Sequence, residues 1–290
     1  MKRPVIGLTA GDLAGVGPEV LAAALASADK GVAEYRVIGR AEALEPGCPS
    51  RESAEAALTA LEEAVELANQ GVIDAVVTAP VCKHAMREIG FAFPGQTEFF
   101  AARAGVERFS MILTSERLTV SLVSIHVSLR EAVEILSPEL IWKAAEHLRE
   151  FLLCRRSGEQ PHIAVAGLNP HAGESGDIGD DEIRVIAPVV AKLERMWSGI
   201  FCGPISPDTL FHRAVAGEFD GVVCMYHDQG LIPLKLLAFD SGVNVTWGLP
   251  FIRTSPDHGT AFDIAGKGVA SSRSMSEAIR VAVELVRGRS

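Results

Sequence analysis

Short apolar runs alternate with longer amphipathic segments, and this alternation restricts the fold more than any other feature of the sequence. Residues 5–8, 163–167 and 221–225 are apolar and have the length of buried strands. Between such runs, residues 52–70 and 138–154 carry apolar side chains at helical spacing. The same criteria predict strands at 74–79 and 118–125 and helices at 18–28, 180–197 and 275–287. Strands separated by helices indicate a mainly parallel α/β sheet.

The size and composition of the chain suit a globular protein with a large core. Its 290 residues fit one large domain or two closely joined ones, and 48% of them are hydrophobic. The formal net charge of -10 argues against a nucleic-acid-binding protein, because neutralising phosphates requires a basic surface. A few local Lys and Arg side chains can still bind one small anion in an acidic protein.

The cysteines and the N-terminal segment predict a cytoplasmic protein. The five cysteines are odd in number and widely spaced and form no CxxC pair, which predicts reduced thiols. The apolar run near the N-terminus is too short for a secretory signal, and no run is long enough to span a membrane.

Three histidines each come at or just beyond the end of a predicted strand. His126, His171 and His227 follow strands predicted to end near 125, 167 and 225. Because ligands bind at the carboxyl ends of parallel strands, these imidazoles can meet at one edge of a sheet. Three imidazoles with an open coordination position form a catalytic metal site that polarises substrate oxygens. The intervals between them are long, so three unrelated surface or capping histidines are the alternative.

Seven motifs distributed over almost the whole chain share a pattern with one enzyme family. They are GDLAGVGPE at 11–19, TAPV at 78–81, GLNPHAGE at 167–174, GP with PDTLF at 203–211, YHDQG at 226–230, GLPFIRTS at 248–255 and DHGTA at 257–261. Together they resemble the 4-hydroxythreonine-4-phosphate dehydrogenase family of vitamin B6 biosynthesis. The resemblance implies an α/β fold of two α/β/α subdomains of the isopropylmalate/isocitrate dehydrogenase-like type, with the active site in the cleft between them. It implies one enzyme unit over 1–290, with 1–125 plus 240–290 on the cofactor side and 126–239 on the metal and dimer side.

The resemblance further implies the reaction. Members of this family oxidise 4-phosphooxy-L-threonine at C3 with NAD, and decarboxylation gives 3-amino-2-oxopropyl phosphate for pyridoxal phosphate biosynthesis. NADP is the alternative cofactor. The implied metal is zinc, magnesium or cobalt, held by His126, His171 and His227. One of these ligands comes from the partner subunit, so the resemblance implies a homodimer with a shared active site.

The resemblance assigns substrate contacts to Gln96, Thr97, Lys235, Asn244 and Arg253. Their chemistry agrees with that role, because Arg offers a planar fork and Lys a point charge to a phosphate or carboxylate. Lys235 and Arg253 lie in apolar runs where an unpaired charge is costly. A salt bridge to a nearby carboxylate is therefore the alternative for each.

Asp208 and Lys235 are the candidate catalytic residues. For Asp208 the expected role is that of a base or of support for the metal site. The alternative is the N-cap of a helix that starts at Thr209. Both roles are compatible with its position in the motif at 207–211.

The chain departs from the family pattern at Gln96, where the family usually has His. A Gln side chain donates hydrogen bonds but carries no positive charge. This departure leaves open a sibling dehydrogenase that acts on 4-phospho-D-threonate or erythronate, or on a dihydrodiol carboxylate. A metal-dependent lyase or a metabolite-binding protein is the alternative of another class, which the cofactor motif disfavours.

A second resemblance concerns the cofactor. Residues 257–268 resemble the adenosine-binding loop of the isopropylmalate and isocitrate dehydrogenases, which share the glycine-rich loop at 11–19. The implied cofactor contacts are Gly11, Asp12, His258, Gly259, Thr260 and Asp263. A carboxylate at 263 accepts a hydrogen bond from a ribose 2′-hydroxyl and repels a 2′-phosphate, which favours NAD over NADP. Taken alone, the glycine-rich loop is more typical of a turn that leads into a helix.

Overall fold

The computed structural model describes residues 3–289. These residues form two compact units, one within 1–107 and 240–290 and the other within 108–239. In chain order the elements are β1 (Val5–Thr9), α1 (Gly17–Ser27), β2 (Glu34–Ile38), α2 (Arg51–Asn69), β3 (Ala75–Thr78), α3 (Lys83–Glu88), α4 (Gln96–Arg103), β4 (Ser110–Thr114), β5 (Thr119–Leu122), α5 (Leu129–Glu134), α6 (Pro138–Arg155), β6 (Ile163–Ala166), a short turn segment (Pro170–Gly176), a π-helix (Glu182–Ile186), α7 (Ala187–Met196), β7 (Phe201–Ile205), α8 (Pro207–Val215), β8 (Gly221–Cys224), α9 (His227–Ala238), β9 (Val243–Trp247), β10 (Ile252–Pro256) and α10 (Arg273–Arg289).

In the first unit the hydrogen-bonded strand order is β2-β1-β3-β10-β9. The first four of these strands are parallel, whereas β9 is antiparallel to β10. β3 and β10 are buried along their whole length, as expected for parallel strands that helices cover. The carboxyl ends of β1, β3 and β10 therefore lie along one edge, where the loops that begin at 10, 79 and 257 leave the strands.

In the second unit the strand order is β4-β5-β8-β6-β7, with β4 antiparallel to β5 and the others parallel. The apolar core of this unit joins four strands to α8 and α9. It includes Leu113, Val120, Val222, Leu210 and Leu234. Packing on this core fixes α9, whose first residue is His227.

The observed helix starts follow from the local sequence. Ser50 and Ser53 form a reciprocal capping box at α2. Ser137 caps α6, and Pro138 lies in its first turn. Pro18 lies in the first turn of α1, as predicted.

Two predicted elements are less regular than expected. The strand predicted at 118–125 is regular only over β5, and its last residues form bends before His126. The helix predicted at 180–197 begins as a π-helix and continues as α7. Single π turns inside helices occur frequently at functional sites. The antiparallel strands β4 and β9 were not predicted.

The structure also bears on the cysteines and on membrane-spanning helices. None of the five cysteines, all of which lie within the described residues, forms a disulfide. Over residues 3–289, no helix combines the length and the apolar character needed to cross a bilayer.

Candidate active site

The carboxyl edge of the second unit carries all three predicted metal ligands. β5, β8 and β6 are adjacent and parallel. His126 follows β5, His227 follows β8, and His171 follows β6. Because neighbouring strands lie about 4.8 Å apart, the sheet brings three imidazoles that are distant in sequence to one edge.

His126 and His227 lie close together beside a shared cavity. Their ring centroids are 6.1 Å apart, and the ring planes are inclined by 41°. Both side chains line a cavity of about 290 Å³ together with Ser124 and Tyr226. The Ser124 hydroxyl donates to the Met225 carbonyl at 3.0 Å, which fixes the end of β5 against the end of β8.

Asp228 orients the His227 ring. Its carboxylate oxygen Oδ1 lies 2.7 Å from His227 Nδ1. Since an ionised carboxylate only accepts hydrogen bonds, Nδ1 donates, and the lone pair of the neutral imidazole is then on Nε2. Histidines that bind metals usually make this outer hydrogen bond.

His171 lies on a left-handed turn. Five consecutive residues, 171–175, have φ between +44° and +79°. Four of them are not glycine, although L-residues lose roughly 1–2 kcal/mol each in this conformation. At Gly173 only glycine fits, since an added Cβ would lie 2.6 Å from the Gly179 carbonyl oxygen and 2.7 Å from Glu182 Oε2. Such strain persists only where surrounding contacts fix it, and it clusters at functional sites.

Glu182, on the π-helix, fixes the segment that leads into this turn. The residue is 3% exposed. Its Oε1 accepts hydrogen bonds from Leu168 N and Asn169 N, both at 2.7 Å. Its Oε2 accepts a third from the Asn169 side-chain amide at 3.0 Å. The buried charge is thus satisfied by the backbone that precedes His171.

Gln229 ties the ends of β6 and β8 together. Its side-chain oxygen accepts from Met225 N, and its amide donates to the Gly167 carbonyl, each at 2.7 Å. The residue is buried, so both ends of the amide are satisfied inside the protein. The strand ends before His171 and His227 therefore keep a fixed spacing.

Asp208 lies beside His171 at the surface. Its Oδ2 is 3.7 Å from His171 Nδ1, and the Ser206 hydroxyl donates to Oδ1 at 2.5 Å. The Ser206 hydrogen bond is the main cause of a lowered pKa of Asp208, and His171 adds to it. A carboxylate with a lowered pKa is a weaker proton acceptor, so this geometry favours support of His171 over the role of base. The N-cap alternative is wrong, because α8 begins at Pro207 and Ser206 is its N-cap.

The three histidines do not form a compact triad within one chain. Among residues 3–289, no group of three His, Cys, Asp or Glu side chains lies close enough to hold a metal ion. The single chain presents His126 with His227, and separately His171 with Asp208, along the same sheet edge.

In the first unit, Arg253 is a buried cation among neutral oxygens. It is 2% exposed. Its Nη1 donates to Thr246 Oγ1 at 3.2 Å, and its Nη2 donates to Thr78 Oγ1 at 2.7 Å and to Gln96 Oε1 at 3.0 Å. Burial lowers the pKa of Arg253 to about 10, and the charge of Glu98 opposes this shift. The guanidinium is therefore held by neutral acceptors, which suits a site that receives an anion.

Gln96 and Thr97 begin α4 beside this cation. Gln96 Nε2 donates to the Ala79 carbonyl at 3.1 Å while its oxygen accepts from Arg253. Thr97 is 3% exposed, and its hydroxyl lies 3.3 Å from that of Thr246. Of the two, Gln96 is the more exposed side chain.

Two other predicted substrate contacts have different surroundings. On β9, the Asn244 side-chain oxygen is buried with no hydrogen-bond partner among the described residues. Buried acceptors are normally satisfied, so a ligand donor would suit this position. Lys235 lies half-buried on α9, with Nζ 5.7 Å from the Phe239 ring centroid. The roles of both residues stay predictions.

The two predicted cofactor loops contact one another. Val16 N donates to the Thr260 carbonyl at 2.9 Å. A Cβ on residue 15 would come within 2.8 Å of the same oxygen, so this approach requires the glycine found there. α1 begins at Gly17, so the glycine-rich loop also leads directly into a helix.

The remaining predicted cofactor contacts differ in exposure. Gly11 has φ +68°, and a Cβ there would lie 2.2 Å from the Pro80 carbonyl oxygen. Asp12 is 1% exposed, and its Oδ2 has no hydrogen-bond partner within the described chain. Gly259 and Asp263 are exposed, so a ligand reaches them without rearrangement.

Three residues of this site were not singled out from the sequence. Asp228 and Gln229 lie in the motif YHDQG, and the adjacency of Asp228 to His227 was the available signal. Glu182 lies outside every motif, and no spacing links it to His171.

Comparisons with known proteins agree with the motifs. The chain matches the family model described as pyridoxal phosphate biosynthetic protein PdxA over residues 13–282. A 4-hydroxythreonine-4-phosphate dehydrogenase from Desulfosudis oleivorans is 42% identical over 97% of this chain and 96% of the relative. A candidate D-threonate 4-phosphate dehydrogenase from Oceanobacillus iheyensis is 40% identical over 98% of each chain.

Solved structures of members of this family are also similar to this chain. A 4-hydroxythreonine-4-phosphate dehydrogenase from Klebsiella pneumoniae has a TM-score of 0.82 and 38% identity over 98% of each chain. A terephthalate 1,2-cis-dihydrodiol dehydrogenase from Burkholderia xenovorans has a TM-score of 0.70 and 26% identity over 98% of each chain. An isocitrate dehydrogenase from Methylococcus capsulatus, with a TM-score of 0.58, 15% identity and coverage of 99% and 88%, confirms the predicted fold type alone. The chain belongs to the PdxA family of pyridoxal phosphate biosynthetic proteins.

Proposed function

We propose that this chain oxidises 4-hydroxythreonine 4-phosphate at C3 with NAD and a divalent metal, and that decarboxylation then gives 3-amino-2-oxopropyl phosphate. The observation that carries the proposal is the placement of His126, His171 and His227 after three adjacent parallel strands. The names of the Desulfosudis relative and the Klebsiella structure support the choice of substrate.

A divalent metal fits the donors at this sheet edge. His126 and His227 line one cavity, and Asp228 leaves the Nε2 lone pair of His227 for a metal. His171 belongs to the same ligand set, with one of the three supplied by the partner subunit. When bound, the cation supplies a Lewis acid that lowers the pKa of a coordinated hydroxyl. Imidazole ligands favour zinc or cobalt over magnesium, which prefers oxygen.

The anionic groups of the substrate are bound by Arg253 and Lys235. Arg253 is preorganised by neutral hydrogen-bond acceptors, and Asn244 offers an unsatisfied side-chain oxygen for a substrate donor. Asp208 has a lowered pKa and lies beside His171, so its role is to hold that ring.

The nicotinamide cofactor is NAD, held by the glycine-rich loop and the 257–268 loop. The contact of Val16 with Thr260 makes these loops one surface. The exposed carboxylate of Asp263 suits a ribose 2′-hydroxyl and repels a 2′-phosphate.

The enzyme is a homodimer. Ile232 and Leu236 on α9 and Phe239, the residue that caps its end, are 59%, 83% and 76% exposed. Their spacing places them on one helix face. Contiguous exposed apolar side chains of this kind mark interfaces, and a second copy of the chain is the proposed occupant.

An NADH-production assay with purified protein tests the proposed function. The substrates are 4-hydroxythreonine 4-phosphate, 4-phospho-D-threonate and 4-phosphoerythronate, each with NAD or NADP and with or without a chelator. We expect the fastest turnover with the first substrate and NAD, and its loss with chelator. His227→Ala should lower kcat/KM by about 100-fold or more because it removes a metal ligand.

His84→Ala is the matched control, since the His84 side chain is 86% exposed on α3. Turnover that survives complete metal removal would contradict the proposed mechanism. A preference for the sugar-acid phosphates would instead assign the chain to the sibling activity, which Gln96 and the Oceanobacillus relative favour.

A further inference from the structure

Arg253 is fixed from both neighbouring strands. β10 lies between β3 and β9, and Arg253 donates to Thr78 on β3 and to Thr246 on β9. Thr78 is 0% exposed and Thr246 is 2% exposed, so these two acceptors lie in the interior. Gln96 is the third acceptor and the more exposed one. Gln96 is therefore the acceptor of the buried guanidinium that lies nearest to solvent.

The Gln96 amide is itself fixed at both ends. Its Nε2 donates to the Ala79 carbonyl just after β3, and its Oε1 accepts from Arg253 Nη2. These two bonds determine which end of the amide faces the cation. The arrangement gives Arg253 a strong neutral acceptor that neither cancels its charge nor titrates.

We propose that Gln96 is a positioning residue that fixes the Arg253 guanidinium toward an oxyanion of the substrate without adding a negative charge beside it. This inference rests on the proposed function for the identity of the substrate. A carboxylate at position 96 would pair with the guanidinium and compete with the substrate oxyanion. An apolar side chain would leave Nη2 with Thr78 as its remaining acceptor, so the guanidinium would be oriented less tightly.

Two substitutions of similar volume separate these effects. Gln96→Glu supplies a competing charge, and Gln96→Met removes both hydrogen bonds. In each variant we expect the KM for 4-hydroxythreonine 4-phosphate to rise about 10- to 100-fold, as for loss of a charge-assisted hydrogen bond. The kcat should change by less than about threefold, because bound substrate still meets the same reacting groups.

Thermal stability distinguishes positioning from a structural role. In Gln96→Glu, the new charge pair with Arg253 offsets the lost hydrogen bond to the Ala79 carbonyl, so the midpoint should stay near the wild-type value while the KM rises. A structural role predicts a raised KM only where the midpoint falls. Gln96→His, assayed at about pH 8 where a free imidazole is neutral, can both donate and accept and should restore the KM to within about threefold.

Gln70 provides the matched control. Its Nε2 donates to Glu66 at the exposed end of α2, and Gln70→Glu and Gln70→Met should leave KM and kcat unchanged. Unchanged KM in both Gln96→Glu and Gln96→Met would overturn the inference. So would a fall in kcat with KM unaltered, because that result places position 96 in the chemical step.

Direct binding separates this inference from the proposed function. Calorimetric titration with inorganic phosphate and with unphosphorylated 4-hydroxythreonine probes the two oxyanions of the substrate. Loss of affinity for one probe alone in Gln96→Glu assigns that oxyanion to Arg253. The wild-type protein could oxidise no tested substrate and yet bind a probe that the variants bind weakly. The proposed function would then fail, and the inference would stand. Wild-type protein that binds neither probe would overturn the inference.

Discussion

Glu182 illustrates how a buried side chain outside every motif supports the site. Its carboxylate accepts three hydrogen bonds from Leu168 and Asn169, in the segment that leads to His171. Hydrogen bonds to charged groups are worth about 1.5–3 kcal/mol each. They offset part of the strain of the left-handed turn, so Glu182 holds the backbone that leads to His171.

We predict that Glu182→Gln weakens metal binding while the protein stays folded. The amide replaces one acceptor oxygen by a donor, which removes a hydrogen bond and places a repulsive contact beside the loop. Affinity for Zn²⁺ or Co²⁺ should fall about 10- to 100-fold, as for other changes behind metal-binding histidines. Competition with a chelator measures the affinity, and circular dichroism measures the fold.

Glu194→Gln is the control for this substitution. Glu194 also accepts a backbone hydrogen bond, from Gly199 N at 2.7 Å beyond the end of α7. Equal losses of affinity in the two variants would assign the effect to general destabilisation. Wild-type affinity in Glu182→Gln would show that the loop holds His171 without this carboxylate.

Sequence reasoning found the groups that carry chemistry more readily than those that orient them. His126, His171 and His227 lie after apolar runs, so their position at strand ends was visible in the sequence. Glu182 reaches Leu168 only because the intervening turn reverses the chain. No pattern of residue types in the sequence predicts such a contact.

At the scale of elements, the parallel strands β1, β3, β5, β6 and β8 were predictable because they lie in apolar runs, whereas β2, β7 and β10 contain polar residues or proline and were not predicted. β10 has the sequence IRTSP and contains a buried charge, so it does not read as a buried strand. β9, with the sequence VNVTW, pairs with it in antiparallel orientation. Arg253 is tolerated inside β10 because Thr78 and Thr246 accept its hydrogen bonds, and these contacts exist only in the folded chain.

The sequence predicted that His171 follows the end of a strand, but it did not predict the left-handed backbone of the turn after β6. Ala172 and Glu174 have φ of +53° and +44°, a region that these residue types rarely adopt. Gly173 alone would suggest a single left-handed residue. The longer left-handed run results from tertiary contacts such as those of Glu182.

A buried imidazole fixes α6 to β4 and makes the folding stability of the protein depend on pH. His147 is 5% exposed, and its Nδ1 lies 2.9 Å from the Ser110 hydroxyl. Burial lowers the pKa of His147. The unfolded chain takes up a proton at about pH 6.5, whereas the folded ring stays neutral to lower pH. Stability therefore falls as pH decreases from about 6.5 toward the folded-state pKa and levels off below it.

We predict that His147→Gln flattens this part of the stability profile, because Gln can bond to Ser110 without titrating. Thermal midpoints of both proteins between about pH 5 and pH 8 give the comparison. His84→Gln, at an exposed position on α3, should leave the wild-type slope unaltered. A wild-type slope in His147→Gln would assign the pH dependence to another group.

At the scale of the whole molecule, both units place their candidate ligand groups after the carboxyl ends of parallel strands. In the first unit these are the loops after β1 and β10, and in the second unit the histidines after β5, β8 and β6. Several of the motifs that carried the resemblance to the family lie in these loops. The dimer was implied by resemblance alone, and the exposed face of α9 now gives it a testable surface.

We predict that Leu236→Glu prevents formation of the proposed dimer. Leu236 is 83% exposed in the single chain, between Ile232 and Phe239 on the same helix face. A carboxylate buried at that position would be costly without a partner. Sedimentation velocity should show the loss of the dimer. If the partner subunit supplies a metal ligand, affinity for Co²⁺ should fall together with the dimer fraction.

Val72→Glu introduces the same charge at an apolar residue that is 43% exposed just after α2, and this variant should remain dimeric and bind metal normally. A dimeric Leu236→Glu variant would place the interface elsewhere. A monomeric variant that keeps wild-type Co²⁺ affinity would mean that one chain completes the ligand set by rearranging His171 toward His126 and His227. The two measurements together therefore separate the existence of the dimer from its role in the metal site.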